Sequence, residues 1–265
     1  MISIKNEREI EFMRESNRIV GEVLFQLGQM IKPGISTKDL NARAGEIISE
    51  NKATAEFNGF SVDGLKPYPY NICASLNNEI VHGYSSSEKI LKDGDIISID
   101  VGTRKNGFCG DGARTFAVGE ISAENKKLMD VTQLALERAI EKCVVGNRIG
   151  DISAIIEQTA KENNLFVAEN LTGHGVGREL HEDPIVFNSG KKNKGPRLKK
   201  GMTIAIEPMF SIGTSKIIEH EWVYLTADNS NAAHFENTIL ITENKPEILT
   251  KFSNGKVKYN QLEKK

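Results

Sequence analysis

Four carboxylates and one imidazole in this chain have the types and settings of a metal site: Asp100, Asp111, His174, Glu207 and Glu236. Asp100 belongs to the alternation Ile97-Ser98-Ile99-Asp100-Val101, the period-2 pattern of a strand with one apolar face. Asp111 follows Asn106-Gly107, the dipeptide best suited to a two-residue type I′ hairpin turn. That turn sets Asp111 opposite Gly102, and we read it as setting Asp100 opposite Arg114. Residues 100 and 102 share a face, so Asp111 becomes a diagonal neighbour of Asp100, within reach of a shared ion. A three-residue loop would send the two acids to opposite faces. Glu207 closes the apolar run Met202–Ile206, and Glu236 sits in His234-Phe-Glu-Asn-Thr-Ile-Leu-Ile. An acid in such a strand must be paired, protonated or bound to a cation. His174 lies between Gly173 and Gly175, where a free backbone would let its ring approach a ligand closely. Hard oxygen donors with one nitrogen suit Mn, Fe, Co or Zn in a hydrolytic pair of ions, and do not suit a structural thiolate zinc.

Each of these residues also has an ordinary reading. The hairpin acids could be solvated, or paired with Arg104 and Arg114. His82, His174 and His181, taken one at a time, could be surface or hydrogen-bonded imidazoles, and His220 and His234 keep that reading. His181-Glu182 is not the helical H-E-x-x-H zinc motif, because no second histidine follows at the required spacing.

An internal echo favours the shared centre. Leu91-Lys-Asp-Gly-Asp-Ile-Ile-Ser-Ile-Asp100 matches Leu198-Lys-Lys-Gly-Met-Thr-Ile-Ala-Ile-Glu207, which sets Asp100 on Glu207. A fainter echo pairs Gly34 with Gly146, Asp39 with Asp151, Leu40 with Ile152 and Ala42 with Ala154. Two copies are too few for a solenoid. They fit a duplication about a pseudo-two-fold axis, each half contributing a carboxylate strand.

The elements that must carry these residues follow in order. Ile10, Met13, Val20, Leu24 and Leu27 recur at helical spacing, with Gly28 and Pro33 as the stop. Ser36-x-x-Asp39 is a capping box for a second helix from Thr37 to about Asn51. Residues 58–69 read as loop, and Cys73–His82 as a strand ending at Gly83. The second half repeats the order: a helix capped by Ser122 and running to about Cys143, a Gly146–Gly150 turn, and a helix from Asp151 to Asn163. Strands follow at Met202–Pro208, Trp222–Leu225 and Phe235–Thr242, and a polar tail from 254 to 265. This order implies an α/β or α+β fold with helices covering one side of a largely antiparallel sheet. No linker separates the halves, about 8–120 and 122–245, so residues 1–265 read as one domain.

At 265 residues, 39% hydrophobic and 26% charged, the chain can bury a sizeable core. A net charge of −2 excludes a dominant nucleic-acid-coating role. Cys73, Cys109 and Cys143 are scattered and odd in number, which implies no disulfide framework and suits a reducing compartment. Residues 1–18 have no apolar core of a secretion signal, and no run approaches the roughly 20 apolar residues of a membrane span. The expected location is the cytoplasm, as a monomer. The loop 191–200 carries six basic residues, Lys191, Lys192, Lys194, Arg197, Lys199 and Lys200. It reads as a solubilising surface, or alternatively as a salt-dependent ribosome contact.

NNEIVHG, DIISIDVGTRKNGFCGDGARTF, LTGHGVGRELHEDP, GPRLKKGMTIAIEP and HFENTILIT, in this order over about Lys5–Glu243, resemble the methionine aminopeptidases of the pita-bread fold. The GHG form and the short interval between Glu207 and Glu236 resemble type I. The resemblance implies two divalent ions, with Asp100 on one, Asp111 and Glu236 bridging, and His174 and Glu207 completing the other. It also implies that Glu207 moves the proton, His181 meets the carbonyl oxygen and His82 contacts the scissile nitrogen. Tyr68, Cys73, Leu180 and Trp222 would line the methionine pocket, and nascent N-termini with a small second residue would be the substrates. Cys109, Leu180 and Asn237 depart from the family's usual residues, which should tune the site. The rivals are a proline-directed peptidase of the same fold, which usually has a large N-terminal domain, and a metal-free binding module, which would have lost ligands.

Overall fold

Capping chemistry sets where the helices begin. Asn6 and Ser36 each accept the backbone N–H of the acid three residues on, and Glu9 and Asp39 return the bond, which starts α1 (Glu7–Met30) and α2 (Thr37–Glu50). Ser122 caps α3 (Ala123–Ile140), and α4 (Ile149–Glu162) completes the set. Gly28 does not end α1. The helix runs on to Met30 and stops ahead of Pro33, because a residue before proline is driven out of helical geometry. Gly28 serves packing instead: a Cβ there would lie 2.7 Å from the Phe116 ring. The computed structural model describes residues 1–251, so the polar tail lies outside the described residues.

Asn106 and Gly107 both have positive φ, and the strands Ile96–Lys105 and Phe108–Ala117 pair without a slip around them. Asp111 faces Gly102 as the turn requires. Asp100, however, faces Ala113, and Arg114 pairs with Ile99. A two-residue loop pairs residues equally distant from it, and Arg114 lies one position too far. Ile97, Ile99 and Val101 bury against Val20, Leu24 and Ile47 of α1 and α2, which leaves Asp100 on the other face.

The second half uses the same plan with a break in it. Thr203–Ile206 pairs with Asn237–Leu240, and Met209–Ser211 pairs with Ala232–His234, in one continuing register. The expected Phe235–Thr242 is strand only over Asn237–Leu240, Ala232–His234 forms a second one before it, and Glu207 and Glu236 stand where the antiparallel pair passes from one sheet to another. Ile204 and Ile206 bury against Leu136, Ile152 and Ile156 of α3 and α4. Cys73–His82 is likewise two strands, Cys73–Leu76 and Glu79–Val81, parted at Asn77 (φ 54°) and joined to different sheets. The expected single sheet is therefore four small antiparallel ones among the described residues.

Both echoes in the sequence are structural. Gly34 N–H donates to Leu91 O at 2.8 Å, and Gly146 N–H donates to Leu198 O at 3.4 Å, each glycine at positive φ. Ser36 bridges Ile90, and Arg148 bridges Arg197, at the corresponding places. The halves meet along the strand that carries Asp111. Glu236 N–H donates to Ala113 O at 2.9 Å, and the Thr238 hydroxyl donates to Asp111 O at 2.8 Å. α1 closes over the same strand at Gly110, where a Cβ would sit 2.8 Å from the Ser16–Asn17 backbone. That approach lets the Asn17 side-chain oxygen accept Asp111 N–H at 3.3 Å.

Candidate metal centre

Asp100, Asp111, Glu207 and Glu236 converge at the seam, and His174 closes one side. His174 Nε2 lies 3.6 Å from Asp111 Oδ2 and 3.5 Å from Glu207 Oε1. Its Nδ1 faces Gly175 O at 2.8 Å, and a carbonyl can only accept, so Nδ1 carries the proton and Nε2 offers a lone pair to the acids. The flanking glycines are there for the backbone. A Cβ at Gly173 would lie 2.4 Å from Ala205 O, and one at Gly175 would lie 2.2 Å from Asp183 O. The motif therefore lets strand Thr172–Gly175 press between its neighbours, which fixes the ring in place.

The donor atoms fit a cation. Asp100 Oδ1, Asp111 Oδ1 and Glu236 Oε1 are buried without a hydrogen-bond partner, an arrangement that costs free energy unless the groups are protonated or hold an ion. Ligand atoms of Asp111, His174 and Glu236 lie within 4.8 Å of one another. Burial is the main force on all four acids, and it pushes Asp100 up to about 7 and Glu207 up to about 8. Asp111 and Glu236 are raised well above the ordinary carboxylate range by burial and then by their acidic neighbours. Burial also lowers the imidazoles, His82 to about 4 and His174 to about 3.

Beside the acids opens a cavity of about 520 Å³. Tyr68, Cys73 and Trp222 form one buried cluster on its wall, and Leu180 is buried on it as well. The rings of Phe60 and Trp222 lie 6.1 Å apart, and those of Tyr68 and Trp222 lie 5.8 Å apart, both edge-to-face. His82 and His181 reach the same space. His82 has φ 58°, a left-handed conformation that is uncommon for a side-chain-bearing residue, and its Nδ1 donates to Trp222 O at 3.2 Å. The His181 ring stands edge-on to His174 at 4.4 Å.

The structure thus brings the five candidate metal ligands, His82, His181 and the four expected pocket residues to one cavity. It also adds some that were missed. Phe57, Phe60 and Met209 line the cavity, and His234, read as an ordinary imidazole, lies against the acids. His234 stands two residues before Glu236, and that spacing puts side chains on one strand face. The aromatic content of 57–70 was the corresponding signal for Phe57 and Phe60. Of the departures, Asn237 accepts from Arg114 at 3.0 Å, and Arg114 also donates to the Glu236 carbonyl. The pair braces the backbone that carries Glu236. Cys109 is buried with Sγ 3.6 Å from Glu56, outside the carboxylate cluster.

These protonation states set a pH dependence for the metal-free protein. His82, His174 and His234 have lowered values in the fold, so above their ordinary 6.5 they are neutral folded and unfolded and contribute no slope. The four acids hold protons in the fold that the unfolded chain has already released. Their contribution is complete below the unfolded values of about 4 and is lost as pH rises from there through the folded ones, about 7 for Asp100 and about 8 for Glu207. The melting temperature of metal-free protein should therefore fall between pH ~6.5 and ~8.5, a loss on the order of a few kcal/mol, and a saturating divalent cation should flatten the fall. A flat or rising profile without metal would contradict the assigned protonation.

Comparison with known proteins places this geometry. Residues 11–243 match the family model of metallopeptidase family M24. The chain is 46% identical to the methionine aminopeptidase of Clostridium acetobutylicum, over 94% of this chain and 99% of that one. The crystal structure of a methionine aminopeptidase from Thermotoga maritima superposes with a TM-score of 0.92 at 43% identity, over 95% of this chain and 100% of that one. The prolidase of Pyrococcus furiosus has a TM-score of 0.73 at 25% identity, and the match spans 94% of this chain but 65% of that one. The fold is the pita-bread fold, and the chain belongs to metallopeptidase family M24.

Proposed function

We propose that this chain is an aminopeptidase that removes N-terminal methionine from nascent proteins and peptides whose second residue is small. The observation that carries the reading is a cluster of buried, unpartnered carboxylates facing an apolar, aromatic-walled cavity. Asp100 would hold one divalent ion, Asp111 and Glu236 both ions, and His174 with Glu207 the second, as one catalytic unit built from both halves. Two ions of the Mn, Fe, Co or Zn type would bring a shared water near neutral pKa and polarise the carbonyl, as two-metal sites do in general.

The remaining work falls to the chain's own groups. Glu207 would take the proton of the attacking water and pass it to the leaving amine. His181 would donate to the carbonyl oxygen as charge gathers there. His82, kept neutral by burial and turned by its bond to Trp222, contacts the scissile nitrogen through Nε2. The free α-amine is held on the Asp100 side, which restricts cleavage to the first residue. A methionine side chain fits the Tyr68–Cys73–Leu180–Trp222 wall, whose rings offer sulfur–aromatic contacts.

No described helix is long and apolar enough to cross a membrane. In this reading the protein works in the cytoplasm as a monomer. The exposed loop 191–200, which bonds through Lys194 O and Asn193 N to the start of α4, presents its basic side chains to ribosomal RNA. Reversing Lys191, Lys192 and Lys194 to Glu should abolish co-sedimentation with ribosomes at low salt while leaving peptide turnover intact. Unchanged co-sedimentation removes that contact from the proposal.

The direct test is a panel of tripeptides. A bulky second residue must sit beside His82 and His181, and about 1 Å of displacement at the carbonyl can cost near 10²-fold in rate. Met-Gly-Ser and Met-Ala-Ser should therefore exceed Met-Phe-Ser in kcat/KM by about that factor, with X-Pro peptides poor. Equal values for Met-Ala-Ser and Met-Phe-Ser, or a preference for X-Pro, would identify a different peptidase.

A further inference from the structure

One buried group at the site has no part in the function proposed above. The His234 side chain is 1% exposed, and neither ring nitrogen has a hydrogen-bond partner. Nε2 lies 3.6 Å from Glu207 Oε2 and 3.8 Å from Glu236 Oε2. Those separations are too long for hydrogen bonds. They suit donors on one ion, since atoms each about 2.1 Å from a metal stand roughly 3–4 Å apart. Ligand atoms of Glu207, His234 and Glu236 all fall within 4.8 Å of one another, a grouping distinct from the one that includes His174.

The backbone holds the ring there. His234 N–H donates to the Thr115 hydroxyl at 2.9 Å, and the same hydroxyl faces His234 O at 2.9 Å. Ser98 Oγ lies 2.8 Å from that hydroxyl, which ties it to the strand that carries Asp100. His174 flanks the acids on one side, and His234 flanks them on another.

We propose that His234 is a second nitrogen ligand to the ion held by Glu207 and Glu236, the two acids its Nε2 lies against. This rests on the two-metal reading. Without His234 that ion would keep one imidazole, His174, among the carboxylates Asp111, Glu207 and Glu236. A second imidazole shifts the preference towards Co²⁺, Fe²⁺ or Zn²⁺.

Metal-free protein titrated with Co²⁺, followed by calorimetry and visible absorption, tests this. The wild type should bind two equivalents. His234→Gln should keep one event unchanged and weaken the other at least about 10-fold, with an altered d–d band for that ion. Mn²⁺ should be affected much less than Co²⁺. In wild-type protein, ¹⁵N spectra should show His234 Nε2 moving to a metallated shift on addition of Zn²⁺, a readout independent of how well the variant folds. Two unchanged Co²⁺ events in His234→Gln, or an unmoved His234 resonance in Zn²⁺-saturated wild type, overturns the ligand assignment and leaves the metal pair standing. Wild-type protein that binds no pair of ions overturns both.

Discussion

Repulsion and desolvation among three buried carboxylates and the half-buried Glu207 is the constraint on which the rest of this structure depends. Asp111 and Glu236 are almost fully enclosed, and Asp100 is buried beside them. Ionised and uncompensated, such a group would oppose folding strongly. The structure answers in two ways. Burial raises the pKa values, so protons stay on in the absence of a cation, and the unpartnered oxygens are left facing one another where a cation can replace those protons. The penalty of the cluster is thus the source of its affinity for metal.

Holding the acids together requires rigid supports from both halves. One support is an unbroken hairpin, and the other is an antiparallel pair that changes sheet at Glu207 and Glu236. They are fastened to each other by backbone and hydroxyl bonds between 111–115 and 234–238. Gly110, Gly173 and Gly175 allow neighbouring backbones to approach more closely than any side chain would permit. The helices bury the apolar backs of these strands, which leaves the opposite faces free for chemistry.

Much of this was legible in the sequence, for identifiable reasons. Asn106-Gly107 admits one turn, and the turn dictates how Asp111 stands relative to Asp100. The capping box at Ser36 fixes a helix start through local bonds, and the repeated Leu-Lys-x-Gly phrase sets Glu207 against Asp100. What escaped depends on contacts distant in the chain. The break at Glu236 answers to the pairing with 206–209, and Gly28 answers to Phe116, so neither shows in local pattern. His234 was overlooked because Ala-Ala-His-Phe reads as core. Only its register with Glu236 marks it as facing the acids. The facing of Asp100 by Ala113, one place from Arg114, follows from the turn itself and was within reach of the sequence.

The central claim is that the metal-free site keeps protons at neutral pH which a divalent cation displaces. Calorimetric titration of metal-free protein with Zn²⁺ or Co²⁺ near pH 7, repeated in buffers of different ionisation enthalpy, measures that exchange directly. The account predicts that the apparent enthalpy varies with the buffer in the sense of net proton release. Binding with no proton exchange, or with proton uptake, would show that the four carboxylates are already ionised in the empty fold and would contradict it.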